Sequence, residues 1–96
     1  MQTIEQPTAV RLLVEAAETI GDRASERDTE QERSMKRTVK AFNAMFNKNL
    51  TETEGWQFME LLKMARSVGG KYREDDFLDG AAYAALAGES ASPSDS

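Results

Sequence analysis

Residues 51–70 read TETEGWQFMELLKMARSVGG, and residues 71–89 read KYREDDFLDGAAYAALAGE. Thr51 is placed to cap a helix, and Glu54, three residues on, completes a reciprocal capping box. An apolar series follows at steps of three and four: Trp56, Met59, Leu62 with Leu61, Ala65 and Val68. That is the period of one helix face. Gly69-Gly70 stops it, since glycine readily takes the left-handed conformation of many helix ends. A short charged loop leads to Asp75 and Asp76, which can cap a second helix carrying Phe77, Ala81, Ala82, Ala84, Ala85 and Leu86, with Gly80 inside it. Its small side chains let another helix come close. The stretch predicts an antiparallel helical hairpin over 52–68 and 76–88. Phe58 falls off the main stripe and is a candidate for a partner surface or a dimer seam.

Upstream, Met35, Val39, Phe42, Met45 and Phe46 predict a helix over 32–47, closed by Asn47-Lys48-Asn49. Val10, Leu13, Val14, Ala17 and Ile20 predict another over 8–20, with Thr8 as a cap and Gly21 as its stop. The segment DRASERDTEQ, 22–31, lacks an apolar anchor and reads as a polar connection. Residues 1–7 form a lead-in, 8–88 one domain, and 89–96 (ESASPSDS) a tail expected to be disordered. The expected fold is all-α, a compact four-helix domain ending in the hairpin.

The 96 residues leave room for one small core, which makes a homodimer a reasonable expectation. There is no cysteine and no histidine. Disulfides, thiolate or imidazole metal sites and the usual general base are therefore absent from the repertoire. A metal site would be built from oxygens and suit magnesium, manganese or calcium. A net charge of -5 disfavours nucleic acid and anionic membranes as partners. No apolar run is long enough to span a bilayer, and the first residues lack a signal-peptide pattern, so the cytoplasm is the expected compartment.

Two carboxylate pairs stand at one-turn spacing: Glu15 with Glu18 on the first helix, Asp76 with Asp79 on the last. If those helices pack side by side, four carboxylates meet, or five with Asp75 at i, i+4 to Asp79, and such a cluster would take up magnesium or manganese. A divalent ion there could bridge phosphate oxygens and activate water. The same residues are also accounted for as solvated charges and helix-start acids. Arg33, Lys36, Arg37 and Lys40 form a basic stripe on the second helix, suited to phosphates or an acidic partner, or to pairing with acids elsewhere. Lys63, Arg66, Lys71 and Arg73 add positive charge around the hairpin loop, and Tyr72 and Tyr83 could stack on a base. Tyr83, in its alanine-rich helix, reads better as a packing residue.

The E-A-A-E of Glu15 to Glu18, Gly21-Asp22-Arg23, the M-x-L-L-K-x-A-R of Met59 to Arg66 and the D-x-x-D-G-A-x-Y-A-A-L of Asp76 to Leu86 resemble a group of short bacteriophage proteins of unassigned function. The resemblance covers about residues 12–89. That group is similar to the all-α nucleoside triphosphate pyrophosphohydrolases of the MazG type, which hold magnesium with an E-x-x-E and an E-x-x-D pair and act as dimers or larger assemblies. The resemblance implies a MazG-like fold, magnesium on Glu15, Glu18, Asp76 and Asp79, a nucleotide ligand and an infected bacterial cell as the setting. Asp76 stands where those enzymes carry Glu. Two functions are expected in parallel: nucleotide binding or pyrophosphohydrolysis, and a non-catalytic module that captures a host protein or defence component. In the second, Arg33, Lys36, Arg37 and Lys40 would orient an acidic partner.

Overall fold

A computed structural model describes residues 8–27 and 30–93, the side chains of 22–33 excepted. Four helices follow in order, α1 (Ala9–Arg27), α2 (Glu30–Phe46), α3 (Glu52–Val68) and α4 (Glu74–Ala91), with no strand among the described residues. None of the described helices is long and apolar enough to cross a membrane.

The Thr8 hydroxyl accepts the Arg11 N–H at 3.1 Å, as its capping role requires. Contrary to expectation, Gly21 does not end α1, which continues to Arg27 and absorbs most of the segment read as a connection. One glycine costs a helix only about 1 kcal/mol, and no proline follows to enforce a stop. At the end of α2, Asn47 takes φ 56°, the left-handed conformation that asparagine tolerates. Asn43 then fixes the α2–α3 turn. Its Nδ2 donates to the Leu50 carbonyl at 2.9 Å, and its Oδ1 accepts the Leu50 N–H at 2.8 Å.

The capping box of α3 is complete. Thr51 Oγ1 accepts the Glu54 N–H at 3.1 Å, and Glu54 Oε1 accepts the Thr51 N–H at 2.9 Å. Gly69 closes α3 with φ -95°, so the expected left-handed ending is corrected; the unusual backbone belongs to Gly70, at φ 156°. α4 starts earlier than predicted. Its N-cap is Arg73, without a side-chain cap bond, so Asp75 and Asp76 lie inside the first turn rather than capping it. It also ends later, at Ala91, so residues 89–91 of the expected tail are helical. There the Ser90 and Ser92 hydroxyls donate to the Ala87 and Glu89 carbonyls.

α4 is the central element. α3 packs antiparallel to it in the most extensive helix pairing, tied by Lys63–Asp79 near one end and by the Thr53 and Ser90 hydroxyls at the other. α1 also lies on α4, with Arg11 reaching Glu74 and Ile20 packing on the core further along, so the two run parallel. The core joins all four helices: Trp56, Leu86 and Ala87 at its centre, with Ile20, Met35 and Tyr83 against them. Tyr83 stacks on Trp56 with ring centroids 5.9 Å apart, the packing role expected of it.

Much of the expected core is exposed instead. Val10 (71 % exposed), Leu13, Val14 and Ala17 of α1 face outward, and so do Leu61, Leu62, Ala65 and Val68 (83 %) of α3, beside Phe58 (66 %), which falls off the expected stripe. Phe42, Met45 and Phe46 of α2 are exposed as well. Helical spacing shows which face is apolar, but not what covers it. The molecule is correspondingly long, with extents of 56 × 33 × 23 Å and a radius of gyration of 15.5 Å. A compact chain of this length has about 12.5 Å.

α2 meets α3 at Gly55. A Cβ there would lie 2.6 Å from Met35 Sδ and 2.8 Å from Val39 Cγ2, the second on a stiff, buried, β-branched side chain. Gly55→Val is expected to lower stability by about 1–3 kcal/mol in urea denaturation, as overpacking does. Gly80→Ala is the control. Its new methyl meets nothing closer than Lys63 Cβ at 3.8 Å, and the helix gains about 0.5–1 kcal/mol.

Candidate functional site

Asp76 and Asp79 lie one turn apart on α4 and reach towards α3. Lys63 and Arg66, spaced alike on α3, meet them. Lys63 Nζ is 3.0 Å from Asp79 Oδ2, and Arg66 Nε is 3.9 Å from Asp76 Oδ1. Asp76 is the buried charged residue of the described core; its side chain is 2 % exposed, whereas that of Arg66 is 56 % exposed. Asp76 Oδ2 is buried and has no hydrogen-bond partner. A buried polar atom in that state costs about 1–3 kcal/mol, more when charged, unless a ligand meets it.

The first carboxylate pair is elsewhere. Glu15 Oε2 is 3.5 Å from Arg11 Nε, and the Arg11 guanidinium donates to both oxygens of Glu74 at 3.2 Å. Glu18 is exposed. Glu15 and Glu18 therefore do not join Asp76 and Asp79 as the side-by-side reading required, because the α4 pair faces α3 rather than α1. Among the described residues, no three or more acidic side chains gather as a metal-binding group. On α2, Lys36, Arg37 and Lys40 are exposed along one helix, while the Arg33 side chain lies outside the description.

Beside Asp76, between the end of α3 and the start of α4, is a cleft of about 440 Å³ lined by Arg66, Gly69, Gly70, Lys71, Arg73 and Asp76. Tyr72 and Phe77, chain neighbours of lining residues but not in the lining themselves, stack on each other with centroids 5.6 Å apart, both of them exposed. A second, mainly apolar cleft of about 270 Å³ runs between α2 and α3, with Phe42, Leu50, Gly55 and Phe58 on its walls.

The family model described as a domain of unknown function (DUF6378) matches residues 11–91. The chain belongs to the DUF6378 family. No curated protein and no solved structure matches it. The match begins at Arg11 and ends at the last residue of α4, so the DUF6378 domain here is the whole four-helix unit.

The pairing of Lys63 and Arg66 with Asp79 and Asp76 in this DUF6378 domain was missed from the sequence. A signal was present. Two cations three residues apart on one arm of an antiparallel hairpin face two acids three residues apart on the other. The Arg11–Glu74 link spans 63 positions and left no comparable trace.

Proposed function

We propose that this protein binds a nucleotide with magnesium, with Asp76 and Asp79 as the metal's carboxylates, in the manner of a MazG-like nucleoside triphosphate pyrophosphohydrolase. The observation that carries the reading is the unpartnered Oδ2 of Asp76 on a side chain almost wholly out of water. Magnesium commonly uses one or two carboxylates plus phosphate oxygens and waters, so the α4 pair fits the ion without a third acid. Bound there, it would supply phosphate polarisation and an activated water. Glu15 and Glu18 have no part in this version, Glu15 being engaged by Arg11. Lys63 and Arg66 remain beside the acids, where a triphosphate needs positive charge. In calorimetry, magnesium plus a nucleotide is expected to give heat and to raise the melting temperature. Both effects vanish in Asp79→Ala, a site less buried than Asp76. Absence of heat and turnover across a nucleotide panel rejects the reading.

The exposed apolar faces of α1 and α3 favour a second reading, a non-catalytic helical module covered by a protein. The occupant we propose first is a second copy of the chain, as a homodimer. In an infected cell, a host protein is the next candidate, with Lys36, Arg37 and Lys40 setting its orientation.

A further inference from the structure

We propose that the turn between α3 and α4 holds the phosphate and base of the nucleotide: phosphate over Lys71 and Arg73 at the start of α4, base on the Tyr72–Phe77 stack. This rests on the nucleotide reading and adds a location that the carboxylates do not supply.

Three cations, Arg66, Lys71 and Arg73, line the cleft against one carboxylate, Asp76. Arg66 is set against Asp76, and Lys71 and Arg73 have no carboxylate partner among the described residues. α4 opens without a side-chain cap, which leaves N–H groups of its first turn, and the positive end of its dipole, to meet an anion. The floor is bare backbone. A Cβ at Gly70 would meet nothing within 4 Å, and one at Gly69 only a carbonyl at 4.0 Å, so an anion can come close to the peptide groups. Gly70 also holds a φ of 156°, which side chains rarely adopt.

The buried, unpartnered Asp76 Oδ2 is the second, separate sign of a ligand here. Asp76 lines the same cleft, so a metal ion or a donor at its oxygen would lie beside the phosphate position. The aromatic pair is the third. Tyr72 sits in the chain between Lys71 and Arg73, and Phe77 directly follows Asp76. Two exposed, nearly parallel rings offer a base a stacking surface, and the cations that flank Tyr72 in the chain suit its phosphates. Asp75, exposed at the same helix start, opposes a bare anion and so favours ligands that also stack or bring magnesium.

The test is calorimetry with ADP and with ribose 5-phosphate, each with and without magnesium. The proteins are wild type, the Lys71→Gln/Arg73→Gln double variant, Tyr72→Ala and Asp79→Ala. The three turn residues are exposed, so those variants keep the fold. The double variant is expected to weaken both ligands at least about tenfold, the loss of a charge-assisted contact. Tyr72→Ala is expected to weaken ADP about tenfold and leave ribose 5-phosphate unchanged. If the turn variants bind ADP as wild type does while Asp79→Ala does not, the turn is overturned and the metal reading stands. If the turn variants fail and neither magnesium nor Asp79 matters, the turn stands and the metal reading falls. If wild type binds no ADP, the turn is overturned, and the metal reading falls with it when the rest of the nucleotide panel also gives no heat.

Discussion

Trp56→Ala is expected to destabilise the domain by about 3–5 kcal/mol, the usual cost of removing a buried aromatic side chain. Trp56 is 4 % exposed and is the residue on which the four helices converge, through Ile20, Met35, Tyr83 and Leu86 with Ala87. The side chain contributes packing alone, because its buried Nε1 makes no hydrogen bond. Small domains have about 5–15 kcal/mol in total, and this core, with no large side chain fully buried among the described residues, belongs towards the low end. Urea denaturation followed by circular dichroism should therefore show a transition displaced to low denaturant. Trp56→Phe should retain much of the stability, since it leaves an aromatic ring to pack and removes no hydrogen bond. Equal losses in the two variants would show that the indole N–H matters in a way its surroundings do not suggest.

The second large effect concerns self-association. Phe58, Leu61, Leu62 and Val68 form one outward face of α3, and each exposes two-fifths or more of its surface. If a second copy covers that face, Phe58→Glu with Leu61→Glu should break the dimer. Burial of each such side chain is worth about 1.5–3 kcal/mol, and a symmetric interface loses it twice. The dissociation constant should rise by a factor on the order of a thousand or more. Sedimentation equilibrium over a range of concentrations measures it. A wild type that stays monomeric at tens of micromolar removes the homodimer; a double variant that associates as wild type does moves the dimer seam elsewhere, and either result leaves this face of α3 to another protein.

The hairpin was legible because its signals are local. Thr51 and Glu54 make a reciprocal cap, and a short loop between two apolar series leaves little choice but antiparallel packing. The end of α1 was not legible, because one interior glycine costs only about 1 kcal/mol and is a stop only when something else, such as a proline, enforces it. The carboxylates show the same division. Their spacing on each helix is written in the chain, but the side of α4 that meets α1 depends on helix rotation. The buried positions of the two helices include the small residues Ala16 and Ala82, which carry little directional signal. The burial of Asp76 was hidden for a related reason. A first-turn acid reads as solvated, and only the approach of α3 takes it out of water.

The link between Arg11 and Glu74 bears on the order in which the molecule is made. α3 and α4 are joined by residues 69–73 and can find each other as soon as both exist. Of the four helices α1 is synthesised first, yet its packing surface on α4, including the partner 63 positions away, follows the other three. Closing so long a span costs chain entropy before any contact offsets it. α1 therefore leaves the ribosome with Ala16 and Ile20, which pack inward in the finished fold, still bare, and it waits for the helix it lies against. Docking of α1 is therefore expected to follow formation of the α3–α4 hairpin, and until then α1 is the helix most open to proteases and chaperones.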